Sequence, residues 1–192
     1  MTTGSILSIQ VGRVAPLAVG DEQTVMSGIR KQTVSGPVEV RPLGLAGDEQ
    51  ADLTVHGGLA KAVYAYPIEH YEYWRQQQVA IGRSTEPLPH GSLGENLTIA
   101  GLLETDVFVG DALRFPNCML RVTQPRKPCF KFNAVMGDPQ AGLKMQRTGF
   151  SGFYLAVDQP GTIATGQAFE VIPGRRETPL TALMSRIITR QG

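Results

Sequence analysis

Residues 118–132 read CMLRVTQPRKPCFKF, and the change of character halfway along this stretch decides how the chain is read. CMLRVTQ is a short run of the kind that forms a half-buried strand. Pro125 has no N–H to give to a ladder, and Pro128 lacks one too, so a regular strand stops here. Cys129 therefore falls on a loop at a strand end. Similar runs recur on both sides. ILSIQVGRV at 6–14 alternates Leu7, Ile9 and Val11 with polar residues, the two-residue period of a strand with one buried face. QTVMSGIRKQTV (23–34), PVEVRPL (37–43), AVYAYP (62–67), ENLTIA (95–100), VFVGDALRF (107–115), GFYLAVD (152–158) and GQAFEVI (166–172) read the same way. Most are punctuated by Gly, Pro, Asn or Asp, and little room is left for helices between them. That pattern predicts a mainly β fold, a closed or nearly closed β-barrel, rather than a parallel α/β sheet.

Helix is expected in three places. PIEHYEYWRQQQ (67–78) starts with a proline and carries Ile68, Tyr71 and Trp74 at helical spacing. GDPQAGLKMQRTG (137–149) reads as a short helix ending near Gly149. In the tail, Thr178 is a candidate N-cap before Pro179, and Leu180, Leu183, Met184, Ile187 and Ile188 share one face, which should dock on the barrel. With 192 residues in all, the expectation is one barrel domain over 1–175 and a helical tail over 176–192, joined through the polar PGRRET.

Composition narrows the function. Lys+Arg 18 against Asp+Glu 17 leaves a net charge of +1, which gives no general attraction to nucleic acid or to a membrane surface, so any important field is local. No stretch reads as a signal peptide or spanning helix, and a cytoplasmic protein is expected. The 2 cysteines are too few for a disulfide framework, a four-cysteine zinc site or an all-cysteine iron–sulfur cluster. Redox chemistry would then need an outside electron donor. The histidines at 56, 70 and 90 lack metal-ligand spacing, so a zinc site is not expected. The absence of Gly-x-Gly-x-x-Gly after a strand, of Walker A and of Gly-x-Ser-x-Gly weighs against nicotinamide, nucleoside triphosphatase and hydrolase chemistry.

Three segments carry candidate chemistry. From Ala112 to Gly137 there is no carboxylate, while Arg114, Arg121, Arg126, Lys127 and Lys131 all fall in that window. Cations beside a thiol favour the thiolate, which is both the nucleophile and the metal ligand. Cys118, in NCMLRV, reads instead as a buried structural cysteine. The second segment, GLAGDEQADLTVHGGLAKAVYAYP at 44–67, places Asp48, Glu49 and Asp52 before His56-Gly57-Gly58 and Lys61. Two glycines let a backbone approach a ligand, and His56 can donate to an oxo or phosphate group or act as a general acid. A β-turn with a structural histidine is the competing reading. In the third, SLGENLTI at 92–99, a turn accounts for Gly94, Glu95 and Asn96 without any function.

Taken together and in order, residues 44–74, GLAGDEQADLTVHGGLAKAVYAYPIEHYEYW, 91–111, GSLGENLTIAGLLETDVFVGD, and 120–133, LRVTQPRKPCFKFN, resemble a MOSC domain, the module named after the C-terminal region of molybdenum cofactor sulfurase. Among its members the chain most resembles stand-alone bacterial hydroxylaminopurine-resistance proteins, which continue past the barrel into a longer helical tail. The combination of His-Gly-Gly, Gly-Glu-Asn and Pro-Arg-x-Pro-Cys is far more specific than any one of them.

The resemblance implies a β-barrel that binds the molybdenum cofactor, a pterin dithiolene (molybdopterin) bearing a phosphate, with Cys129 as the protein ligand to molybdenum. Arg126 and Lys131 would hold the phosphate and the oxo-metal centre. By motif position, His56, Gly57, Gly58, Lys61, Glu95, Asn96 and Gln124 would line the same pocket, His56 also serving in catalysis. The implied activity is reduction of N-hydroxylated compounds such as hydroxylaminopurine-like bases, hydroxylamines and amidoximes. Electrons would come from a separate flavin or iron–sulfur reductase, and a homodimer is one of the assemblies left open. Two other readings stand beside it: a cofactor or sulfur carrier using a Cys129 persulfide, and a non-catalytic anion-binding regulatory module. With Arg126 on a loop, Arg126→Glu is expected to weaken pterin retention and leave the fold intact.

Overall fold

A computed structural model describes residues 2–20, 23–53 and 57–189, the last five of them through their backbone only. In chain order its strands are β1 (Thr3–Val11), β2 (Ala15–Val19), β3 (Gln23–Ser27), β4 (Gln32–Val34), β5 (Val38–Arg41), β6 (Gly44–Leu45), β7 (Val63–Pro67), β8 (Leu97–Ala100), β9 (Ala112–Arg114), β10 (Met119–Pro125), β11 (Phe153–Gln159), β12 (Gly161–Ile163) and β13 (Ala168–Ile172). The helices are α1 (Tyr71–Ala80), α2 (Phe130–Met136), α3 (Ala141–Thr148) and α4 (Leu180–Thr189).

Seven strands close into a barrel in the order β13-β9-β10-β11-β7-β8-β1, and β1 returns to β13 through Thr3↔Glu170 and its neighbours. Closure removes the open sheet edges that a mainly β chain would otherwise present. Adjacent barrel strands pair antiparallel except β7 and β8, which are parallel. A parallel pair needs a crossover, and α1 with the segment that follows it supplies one. β4 extends the sheet beyond β1, β12-β5-β6 forms a small second sheet, and β2 pairs with β3.

β7 explains why the core has two parts. All five of its residues are buried. Val63 and Ala65 face the barrel interior with Ile6, Ile9, Leu97, Leu113, Leu120 and Phe153. Tyr64 and Tyr66 face outward into a second cluster with Tyr71, Trp74, Phe132 and Met145, which the helices α1, α2 and α3 bring against the barrel wall. Fully burying side chains of this size contributes roughly 1.5–3 kcal/mol each, so this outer layer is a real part of the fold.

β1 departs from the simple alternation. Its register with β8 shifts between Ile6 and Ser8, so Ile6 and Ile9 enter the core while Leu7 turns out to 38% exposure. A bulge adds one residue to one strand and switches the faces beyond it. QTVMSGIRKQTV is likewise not one strand but two, β3 and β4. The helix at 67–78 begins as a 3-10 turn over Ile68–His70 before α1. α3 ends at Gly149, φ 76°, as the left-handed cap requires. Strands β2, β6 and β12 and helix α2 have no counterpart in the sequence reading; the paired prolines at 125 and 128 masked a helix that begins immediately after Cys129.

The tail docks as expected. Val109 N donates to Thr178 O at 3.0 Å and Leu180 N to Val107 O at 3.1 Å. Leu180 joins the barrel core and Met184 is buried. Among the described residues no helix is long and apolar enough to cross a membrane.

Candidate functional site

β10 ends where Pro125 pairs with Phe153. The chain then turns through 126–129 into α2, with Cys129 in the position just before the helix and its carbonyl accepting from Phe132 N at 2.9 Å. Cys129 is half-buried. It stands in the wall of a cavity of about 660 Å³, part of it open to solvent. The opposite walls come from the link between β3 and β4 (Ser27, Gly28, Ile29, Lys31) and from the segment 48–51. Tyr64 and Tyr154, directly paired across β7 and β11 with rings 5.2 Å apart, form the barrel side. Glycine is needed where the two loops meet: a Cβ on Gly28 would lie 2.3 Å from Glu49 O.

Among the described residues five cations line the cavity, Lys31, Lys61, Arg126, Lys127 and Lys131, against two carboxylates, Asp48 and Glu49. Both carboxylates are occupied by the fold. Asp48 Oδ1 accepts from Gly12 N at 2.7 Å and from Lys31 Nζ, and its Oδ2 accepts from Asn96 Nδ2 at 2.9 Å. Glu49 Oε2 accepts from Val14 N at 2.7 Å. The carboxylate-free window of the sequence is thus only part of the local field. Arg114 and Arg121, counted in that window, pair instead with Glu170 and Asp158 and do not line the cavity.

Arg126 is held from several sides. It is 5% exposed, donates from Nη1 to Leu93 O, and lies 4.8 Å from the Tyr64 ring and 4.9 Å from the Phe132 ring. Burial acts to lower its pKa, but Tyr64, Tyr154 and Cys129 outweigh that and raise it. Burial pushes the Tyr64 and Tyr154 phenols up, so both stay neutral beside it. A guanidinium sandwiched between rings is a structural cation as well as a pocket one. This corrects the expectation for Arg126→Glu: the side chain is not a loop charge free to be reversed.

The other sequence candidates divide. Lys61, Asn96, Lys131 and Cys129 reach the cavity with Arg126. Lys131 Nζ also donates to Met26 O at 3.1 Å, tying α2 to β3, and Lys61 lies 6.0 Å from the Tyr154 ring centroid. Asn96 has its amide spent on Asp48, on Gln10 O at 3.2 Å and on Tyr64 N at 3.1 Å. Glu95, Gln124, Gly57 and Gly58 are not among the lining residues. Glu95 is fully buried beneath the 91–98 turn. Gln124 faces Tyr154 in the β10–β11 ladder. Gly58 N donates to Gln50 Oε1 at 3.0 Å, and a Cβ on Gly57 would lie 2.0 Å from that same atom; these two glycines make room for a glutamine. His56 lies outside the described residues. Cys118 is buried in the barrel core, and burial pushes its thiol up to about 11.

Sequence reasoning missed Lys31, Tyr64, Tyr154 and Ile29 as pocket residues. Lys31 sits in an apparent strand far along the chain from Cys129, and only the fold joins them. Among the described residues no group of three or more His, Cys, Asp or Glu gathers to hold a metal. A metal bound here would need to bring most of its own ligands.

A closed β-barrel with a single thiol set into a basic cavity at a strand end is the class of protein this structure defines. A sequence profile of the MOSC domain matches residues 52–170, and the chain belongs to that family. It is similar to the uncharacterized protein YflK of Bacillus subtilis, 38% identical over 168 residues that make up 88% of this chain and 73% of that one. It is also similar to a Gibberella moniliformis protein named reductase, 34% identical over 172 residues; these are 88% of this chain but 29% of that longer protein. The crystal structure of YiiM from Geobacillus stearothermophilus superposes with a TM-score of 0.76 at 30% identity, covering 98% of this chain and 86% of that one.

Proposed function

We propose that this protein is a molybdenum-cofactor-dependent reductase of N-hydroxylated compounds, among them hydroxylaminopurine-like bases, hydroxylamines and amidoximes. The observation that carries the proposal is the placement of Cys129 in a cavity that, among the described residues, has five cations and no other soft ligand. Thiolate suits a soft metal, and a site with one sulfur ligand fits a metal that arrives already chelated by a dithiolene. The cationic lining fits that group's phosphate and oxo charges. Cys129 would ligate the metal, while Lys61, Lys127 and Lys131 at the walls would hold anionic oxygens. Arg126, clamped between rings, would supply a fixed positive charge behind them. When bound, the cofactor would supply the two electrons needed to break an N–O bond.

The relative named reductase supports an oxidoreductase reading, and its greater length is consistent with electrons reaching a MOSC module from another module or protein. A separate flavin or iron–sulfur donor would do this here, in a cytoplasmic setting. The test is anaerobic turnover of hydroxylaminopurine by molybdenum-loaded protein with an artificial donor, beside Cys129→Ser. Product from the wild type, with stoichiometric molybdenum that the variant loses, is expected. A wild type that takes up molybdenum and leaves the substrate untouched would refute it.

A further inference from the structure

The reduction proposed above needs protons as well as electrons, and the described part of the cavity contains one group built to deliver them. Lys31 lines the cavity although its side chain is only 7% exposed. An ammonium has three N–H donors. One goes to Asp48 Oδ1, and the other two have no partner among the described residues. Asp48 is itself held from two further sides, by Gly12 N and Asn96 Nδ2, so the ammonium is aimed from a rigid anchor.

The remaining cavity cations suit the task less well. Arg126 is tied to Leu93 O, and a guanidinium does not release its proton. Lys131 already gives one N–H to Met26 O, Lys127 is exposed at the rim, and these two with Lys61 are the cations assigned above to the cofactor's anionic oxygens.

We propose that Lys31 Nζ hydrogen-bonds the hydroxyl oxygen of the bound N-hydroxylated substrate and passes it a proton as the N–O bond breaks. This rests on the reductase reading above. The step balances as R–NH–OH plus two electrons and two protons giving R–NH2 and water. The N–O bond breaks, nitrogen takes the electron pair and is reduced, and oxygen leaves as water carrying the Lys31 proton. Solvent supplies the second proton, at nitrogen. The reductant is the reduced cofactor already named, recharged by the flavin or iron–sulfur donor.

The electrostatics agree. Burial lowers the Lys31 pKa from 10.5 and Arg126 adds repulsion, while Asp48 and Glu95 oppose; the balance makes this a readier acid than a free lysine.

The experiment compares wild type, Lys31→Arg and Lys31→Met. Lys31→Arg keeps a cation for Asp48 but cannot donate its proton; Lys31→Met leaves that carboxylate unpaired and is the less stable of the two. Both are expected to load molybdenum, and Lys31→Arg to melt as the wild type does. For Lys31→Arg, kcat on hydroxylaminopurine should fall about 100-fold or more, as loss of a general acid requires, with KM within about threefold. Wild-type kcat should fall as pH rises through the Lys31 pKa, and that limb should vanish in Lys31→Arg. A readout independent of turnover is NMR of metal-free protein labelled at lysine Cε. One lysine should titrate below the rest in wild type and be missing from Lys31→Arg.

Unchanged kcat in Lys31→Arg, loss of molybdenum from it, or no depressed lysine in the spectra would each overturn the proposal and leave the reductase reading standing. A loaded wild type that reduces no N-hydroxylated compound would remove both.

Discussion

Asn96 Nδ2 donates to Asp48 Oδ2 at 2.9 Å, and this one bond joins the turn before β8 to the loop that carries the anchor of Lys31. The same amide accepts from Tyr64 N and donates to Gln10 O, so Asn96 fastens β1, β7 and the 46–50 loop together beneath the cavity. Its position at the pocket wall is real, but its polar atoms are committed before any ligand arrives.

Asn96→Ala should therefore act on the fold. It leaves an oxygen of Asp48 and the Tyr64 N–H short of partners in buried surroundings, and about 2–4 kcal/mol of stability should be lost. Urea denaturation of the metal-free protein measures this. Lys127→Ala, at an exposed rim position, should stay within about 0.5 kcal/mol of wild type.

Arg126→Glu should unfold the protein or come close. The change removes the donor to Leu93 O and leaves a carboxylate facing a carbonyl and two rings. Breaking a buried charged arrangement of this kind costs about 3–5 kcal/mol. Arg126→Lys keeps a charge but loses the planar contact with Tyr64 and Phe132, and should lie between the two in thermal melting. Wild-type melting in Arg126→Glu would mean that the guanidinium is not packed as described.

These two residues mark what the sequence made legible. The barrel was readable because short strands and turn residues alternate over the whole chain, and Cys129 because two prolines isolate it among cations. Local patterning could not reveal the β1 bulge, since the residue that turns out, Leu7, is as apolar as those that stay in. It also could not separate residues that line a cavity from residues that hold up its walls. Glu95, Asn96 and Gly57 belong to conspicuous motifs, yet their immediate partners are protein atoms. Lys31 has no motif at all, and its place depends on the contact between the 28–31 link and the 48–51 loop.

The two thiols should separate by reactivity. Burial raises Cys118 to about 11, so at pH 8 roughly 0.1% of it would be thiolate, and the barrel core excludes reagent from that fraction. Cys129 is half-buried in an open cavity. Iodoacetamide at pH 8 should add one group per native chain, located by mass spectrometry at Cys129, and two under denaturing conditions. Native labelling of Cys118 at a comparable rate would contradict its burial.

Glu95 provides the sharpest contrast between supporting a site and lining it. Its carboxylate accepts from Tyr71 OH, from Gly91 N at 2.8 Å, from Leu93 N at 3.1 Å and from Thr98 Oγ1 at 3.0 Å. Burial and then Glu95 itself push the Tyr71 phenol up, so that group remains a donor. Glu95→Gln turns one acceptor oxygen into an NH2 facing donors, and about 1–3 kcal/mol should be lost. The Leu93 carbonyl that anchors Arg126 lies on the same turn, so retention of the proposed cofactor should weaken with it. Lys61→Ala should separate the two effects: less of the proposed cofactor retained, with melting of the metal-free protein unchanged. If both variants lost cofactor and neither lost stability, Glu95 would have to be moved from the supporting shell into direct contact with the ligand.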